Sequence, residues 1–179
     1  MGRPTPDPLA HPERLTQSVY AYVAYRIGPG PDAEDATSEV FARALRYRST
    51  FDAAKGTPAA WLTGIARRVL AERATEKFAP VGELPDTAAP GELEHDSVNR
   101  VTMQSAVATL GERDRELVAL RYGADLTAAQ IGDLLDLSPN AVEVALHRAL
   151  RRLRTALEVD VAPERRVQRA AMPSTADGV

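Results

Sequence analysis

Arg148, Arg151 and Arg152 recur at three- and four-residue spacing and so share one face of a helix. A guanidinium group is a rigid fork of donors that matches phosphate oxygens, so such a face can hold a nucleic-acid backbone. Val142, Leu146, Ala149, Leu150, Leu153 and Leu157 repeat on a different face and supply the apolar stripe that would seat this helix. Ser138-Pro139 starts it, with serine as N-cap and proline at the first helical position. A shorter helix precedes it. Thr127 and Gln130 form a capping box, and Ile131, Leu134 and Leu135 fall on one face. Asp136-Leu137 makes the break between the two. A short helix, a tight turn and a longer helix with a cationic face make a helix-turn-helix, whose second helix can enter a DNA major groove. Any antiparallel helix pair with a solvated basic face has the same pattern, and spacing alone leaves both readings open.

Two further groups carry charge at helical spacing. Arg67, Arg68, Arg73 and Lys77 lie on a helix expected from Thr57-Pro58 to about residue 77. They either hold phosphates or make a solvated face. Asp35, Glu39 and Arg43 step four residues apart along the preceding helix, which fits either i,i+4 ion pairing or a partner-binding face. Trp61, the only tryptophan, reads as a core anchor rather than a ligand platform. No paired carboxylates, no nucleophile with an adjacent base and no metal-ligand spacing occur, so an enzyme is not expected and no cofactor is implied. His11, His95 and His147 lie far apart in sequence, and the absence of cysteine rules out disulfides and thiolate metal sites.

The 179 residues carry a net charge of −3, which at first argues against nucleic acid. The distribution matters more than the sum. Residues 78–97 hold five acids and no lysine or arginine, so the acidity sits in one candidate linker rather than in the segments beside it. No apolar run approaches the roughly 20 residues needed to span a bilayer. No signal-peptide pattern opens the chain. A cytoplasmic protein without membrane insertion is expected.

The elements that must position these residues are all helices. Residues 1–12, rich in proline, form an expected mobile arm. A helix follows over 13–27, with Leu15, Val19, Tyr22, Val23 and Ile27 as its stripe, and Gly28-Pro29-Gly30-Pro31 ends it. The next, over 32–48, has Asp32 as N-cap and Ala36, Val40, Phe41, Ala44 and Leu45 as its apolar face. The third buries Leu62, Ile65, Ala66, Val69 and Leu70 beside Trp61. Residues 78–95, with three prolines and two glycines, read as a flexible acidic linker. Helical periodicity resumes over 96–110 and 112–122 and leads into the helix-turn-helix. The expected organisation is therefore all-α: an arm (1–12), a first helical domain (13–77), the linker (78–95), a second helical domain (96–158) and a frayed tail (159–179).

Two stretches in this order resemble a known family. DAEDATSEVFARAL (32–45) with FDAAKGTPAAWLTGIARRVL (51–70) resembles the second conserved region of bacterial RNA polymerase sigma factors of the extracytoplasmic-function group. LGERDRELVALRYGADLTAAQIGDLLDLSPNAVEVALHRALRRLR (110–154) is similar to their fourth region. The resemblance implies docking on core RNA polymerase and promoter recognition, with no catalysis by the sigma factor itself. It makes Asp35, Glu39 and Arg43 docking candidates for the clamp of the largest subunit. It gives residues 51–77 the non-template strand of the minus-ten element, with Arg67, Arg68 and Arg73 as phosphate contacts and a pocket for an unstacked base. It lays the linker through the polymerase and brings the helix-turn-helix to the minus-thirty-five duplex, resting partly on the flap of the second large subunit. An anti-sigma factor is a candidate partner.

The chain departs from the family in two places. Members often carry asparagine where Arg68 stands. Their recognition helix often reads Gly-Thr-Val-Lys/Arg-Ser-Arg, where this chain has Asn140-Ala141-Val142-Glu143-Val144-Ala145. A glutamate repels phosphate but accepts from cytosine N4, and Val144 or Ala145 can meet a thymine methyl. The minus-thirty-five sequence is then unusual, or this domain contributes little base readout. His147 matches the family and can meet a base edge or phosphate, while Arg148, Arg151 and Arg152 position the backbone. Together with Asn140, Glu143 and Val144 these are the expected duplex-binding residues. Two other functions remain open at this stage: a helix-turn-helix regulator independent of polymerase, and a sigma-like protein acting mainly through protein interactions.

Overall fold

The structure, a computed structural model, describes the backbone of residues 7–77 and 106–170 and the side chains of 7–75 and 106–158. The acidic linker expected over 78–95 lies outside the described residues, as do 1–6 and 171–179. All regular structure among the described residues is helical. The first half contains α1 (Pro12–Ile27), α2 (Pro31–Tyr47), a 3-10 turn (Arg48–Thr50) and α3 (Pro58–Lys77). The second half contains α4 (Glu112–Val118), a wide turn (Ala119–Gly123), α5 (Ala128–Leu135) and α6 (Pro139–Ala170). Of the helix expected over 96–110, residues 106–110 are described: 106–108 are helical and Thr109-Leu110 form a turn.

Helix starts follow local chemistry. Thr57 caps α3 by accepting from the Ala60 N–H at 3.3 Å, and Ser138 caps α6 by accepting from the Ala141 N–H at 3.2 Å. The Thr127–Gln130 capping box forms reciprocally at the head of α5. One expected cap does not form. Gly30, not Asp32, is the N-cap of α2, because Pro31 takes the first helical position and Asp32 falls inside the first turn, where its charge meets the helix dipole.

Three expectations are corrected. Residues 7–11 do not belong to a mobile arm: Pro8 is buried, Leu9 packs on the core, and Asp7 accepts from the Leu9 N–H at 3.1 Å. Ile27 and Leu45, in the last turns of α1 and α2, do not join the buried stripes, being 45% and 57% exposed. The helix α6 does not stop near 158 but continues to Ala170, since Pro163 removes one donor from the helical ladder without ending it.

The two halves are not separate bodies among the described residues. One apolar core runs from Val19, Tyr22 and Val23 of α1, through Val40 of α2 and Leu62 and Val69 of α3, to Leu117, Leu120, Leu126, Ile131 and Val142 of the second half. A smaller cluster, Ala106, Val107, Leu110, Val118, Ala149 and Leu153, ties α6 to α4, and Tyr25 of α1 packs on it. The closest approach is at Gly123. A Cβ there would lie 2.7 Å from Tyr22 Cα and 2.8 Å from Tyr22 N, so only glycine lets the wide turn lie on α1. The turn is wide because Ala124 N–H donates to Ala119 O and Leu126 N–H to Leu120 O, one and two residues beyond the α-helical register.

Candidate nucleic-acid interfaces

The helix-turn-helix is built around a left-handed residue. Asp136 (φ +55°) ends α5, and Leu137 N–H reaches back to Gly132 O at 2.9 Å. A Cβ on Gly132 would sit 2.5 Å from Leu137 O, so glycine sets how tightly the turn closes. Val142, Leu146, Ala149 and Leu153 are buried and fix the roll of α6. That roll leaves Asn140, Glu143, Val144, His147, Arg148 and Arg151 exposed as one stripe along the helix. Arg152 is also exposed, but its guanidinium meets Asp114 of α4. Arg154 pairs with Glu158 one turn on, at 3.3 Å.

The second surface lies at the head of α3. The turn 51–57 folds on itself through an Asp52 side chain that accepts from the Ala54 N–H at 3.0 Å. Phe51 is buried and meets half-buried Trp61 edge-on, with ring centroids 5.7 Å apart at 63°. The two rings, with Asp52, Lys55, Thr57 and Ala60, wall a cavity of about 260 Å³. Trp61 is thus both a core contact and a cavity wall, which sequence reasoning missed. The available signal was two aromatics flanking a turn that carries a lysine. The cavity's far wall comes from the other half of the chain: Gln130, Asp133 and Leu134 of α5.

Two family descriptions match the chain: Sigma-70 region 2 over residues 13–77, and Sigma-70, region 4 over residues 100–153. Among curated relatives, the ECF RNA polymerase sigma factor BldN of Streptomyces coelicolor is 31% identical over 156 residues, covering 83% of this chain. The chain belongs to the extracytoplasmic-function sigma factors. ShbA of Streptomyces griseus, another member, is 41% identical over 83 residues, 44% of this chain. SigK of Mycobacterium ulcerans is 29% identical over 151 residues, with 78% of this chain and 80% of the relative covered. The chain spans 59% of the length of BldN and 44% of ShbA. Two solved structures share the fold. The sigma factor RpoE in complex with the anti-sigma factor NepR from Bartonella quintana gives a TM-score of 0.66 at 18% identity, covering 83% of this chain and 94% of that one. CnrH in complex with the cytosolic domain of CnrY gives 0.56 at 21% identity, covering 84% of each.

In this sigma factor the residues expected to hold single-stranded DNA are distributed unevenly. Arg68 is exposed on α3. Arg67 is half-buried: its Nε donates to Glu116 Oε1 at 2.8 Å and its Nη1 to Leu134 O at 2.8 Å. Arg73 reaches Glu39 with Nε at 3.0 Å and Nη2 at 2.9 Å. The docking candidates are drawn into the same network. Arg43 meets Glu39 on its own helix and Glu72 of α3 at 2.7 Å, while Asp35 remains exposed. Burial raises the Glu39 carboxyl, but the hydrogen bonds from Arg73 and Arg43 outweigh it and hold the group below the usual glutamate range. Arg43 lowers Glu72 likewise, and Glu72 in turn holds the Arg43 proton more tightly.

Glu116 was not expected to matter. It is the hub between the halves, accepting from Tyr22 Oη at 3.1 and 3.3 Å and from Arg67. Arg26 Nε lies 2.8 Å from its other oxygen without the alignment of a hydrogen bond. Burial first, and then the charge of Glu116, push the Tyr22 phenol well above its ordinary value, so it stays a donor. No helix among the described residues is long and apolar enough to cross a membrane.

Proposed function

We propose that this chain binds core RNA polymerase as a sigma factor and directs promoter recognition, DNA opening and transcription initiation. The observation that carries the reading is the conjunction, in one chain, of an exposed polar stripe on a helix-turn-helix and an aromatic-walled cavity at the head of α3, the helix that carries Arg67, Arg68 and Arg73. The first suits a duplex major groove and the second an unstacked base. In this reading Asn140, Glu143, Val144 and His147 meet base edges of the minus-thirty-five element, and Arg148, Arg151 and Arg152 hold its phosphates. Arg67, Arg68 and Arg73 flank the non-template minus-ten strand. Asp35, with Glu39 and Arg43, faces the clamp of the largest polymerase subunit, and the helix-turn-helix also rests on the flap of the second. The likeness in fold to the sigma factor RpoE, seen in complex with the anti-sigma factor NepR, supports an anti-sigma factor as a further partner.

Glu143 favours a second reading, in which duplex readout is weak and protein interactions dominate, because its carboxylate stands among groups that would approach phosphates. Reconstituted run-off transcription decides between them. Core polymerase, this protein and a fragment library from the source genome should yield discrete start sites with shared upstream elements. Binding to core without start sites would favour the interaction reading. Duplex binding without core binding would favour a polymerase-independent regulator.

A further inference from the structure

We infer that Asp114 is a positioning residue that withholds Arg152 from DNA and so limits how tightly the helix-turn-helix grips a duplex. The inference rests on the duplex reading above and narrows it: Arg148 and Arg151 hold phosphates, while Arg152 is reserved for α4.

The three arginines are alike in sequence and unlike in the fold. Arg148 and Arg151 are exposed, and their guanidinium groups have no partner among the described residues. The Arg152 side chain is 65% exposed, yet its Nη1 donates to Asp114 Oδ2. The roll of α6 explains the difference. A helix turns by about 100° per residue, so Val144, His147 and Arg151 fall within about 60° of one another. Arg152 stands about 100° round from Arg151, on the side of buried Ala149 and Leu153, where α4 packs. It leaves α6 at the edge of the duplex-reading stripe, beside a carboxylate.

The environment of Asp114 decides which partner Arg152 keeps. The Asp114 side chain is 13% exposed, and Arg152 is its one ion-pair partner among the described residues. Asp114 shares a face of α4 with Leu117 and Val118, both buried, and Val118 packs in one cluster with Ala149 and Leu153 of α6. The carboxylate therefore cannot follow Arg152 outward. Leaving it so far out of water without its cation costs more than one exposed contact returns. A phosphate on the duplex surface stays hydrated and offers Arg152 only a screened contact. Asp114 thus keeps Arg152 when DNA arrives. Glu143 lowers the positive charge of the same helix, so both carboxylates weaken the hold on the backbone and leave more of the selection to base contacts.

The test is the salt dependence of duplex binding. Core polymerase carrying each full-length variant is titrated with a duplex that holds only the upstream element found by run-off transcription. Each phosphate held adds about 0.9 to the slope of log affinity against log salt, which is about fivefold in affinity between about 1 M and 0.15 M. Arg148→Ala and Arg151→Ala should each flatten the slope by about 0.9. Arg152→Ala should leave it unchanged. Asp114→Asn keeps the shape of the side chain, frees Arg152, and should steepen the slope by about 0.9 with about fivefold tighter binding at 0.15 M. Asp114→Glu keeps the pair and should restore the wild-type slope. The double variant Asp114→Asn, Arg152→Ala should also return to it, which separates a released arginine from the mere loss of a negative charge near DNA. A gain that survives in the double variant overturns the proposal, as does an Arg152→Ala slope as flat as that of Arg151→Ala. That second comparison decides even if Asp114→Asn fails to fold. Flattening by all three arginine variants sinks the reserved role of Arg152 alone, whereas no change from any of them sinks the duplex reading as well.

Discussion

Glu39 shows how one residue can serve two readings. It stands where a polymerase-facing carboxylate is expected, yet its oxygens are already shared between Arg43 and Arg73, and Arg43 continues to Glu72. Glu39→Lys would gather three cations between α2 and α3. Because Glu39, Arg43 and Arg73 are about one-third exposed, loss of the two Glu39 pairs should cost about 1 kcal/mol, at the upper end of surface pairs. Thermal melts should therefore show a lowered Tm, and a weakened grip on core polymerase by this variant would be ambiguous. Asp35→Lys is the cleaner probe of docking, since Asp35 is exposed. It should weaken core binding without moving Tm, and unchanged affinity would return Asp35 to the solvent. The depressed Glu39 and Glu72 carboxyls also set a pH window. Their contribution is complete above the unfolded glutamate value of about 4.3 and is lost as pH falls through the lower folded values. The Tm gap between wild type and Glu39→Gln should hold at neutral pH and close in acid below that value. At the other surface, Glu143→Lys replaces an acceptor with a donor in the exposed stripe of α6. Promoter selection from a randomised minus-thirty-five library should shift to a different base at one position, and identical profiles would show that Glu143 faces no base.

The helix-turn-helix is the element most fully written in the sequence. Its caps are local, with Thr127, Gln130 and Ser138 bonding within three residues of themselves, and its apolar stripe repeats at helical period. What composition did not announce is the glycine beneath the turn. Gly132→Ala pushes a methyl onto Leu137 O, and overpacking of this kind costs about 1–3 kcal/mol. The variant should unfold at lower denaturant and lose duplex affinity, because the angle between α5 and α6 must open to admit the methyl. Equal affinity and stability would mean that the turn relaxes without moving α6. The wide turn at Ala119–Gly123 lies at the opposite extreme. Residues 112–122 scan as one plain helix, and the reason for the deviation, the Tyr22 backbone, is about a hundred positions away in the chain. Likewise Arg67 reads as a basic surface residue until Glu116 and Leu134 O are brought against it. Patterns set by neighbours in sequence were legible. Partners set by the docking of the halves were not, because periodicity gives a face its polarity without saying what covers it.

The docking of the halves has a thermodynamic consequence for the whole chain. Tyr22 and Val23 of the first half share one buried cluster with Leu117, Leu120 and Leu126 of the second, so each half covers part of the other's apolar surface. Exposing that surface costs about 25 cal/mol per Å², so in the free chain each half stabilises the other and the two should unfold together rather than successively. Trp61 provides the probe, since the only tryptophan lies at the head of α3 in the first half, whereas far-UV circular dichroism reports all helices. In a urea titration the two signals should trace one transition with a common midpoint. Gly123→Leu, which wedges the junction without touching Trp61, should separate them, with each half then unfolding at its own midpoint. Two transitions in the wild-type protein would mean that the shared core contributes too little to couple the halves, and that each is held by its own helix packing: α2 against α3 in the first, α4 and α5 against α6 in the second.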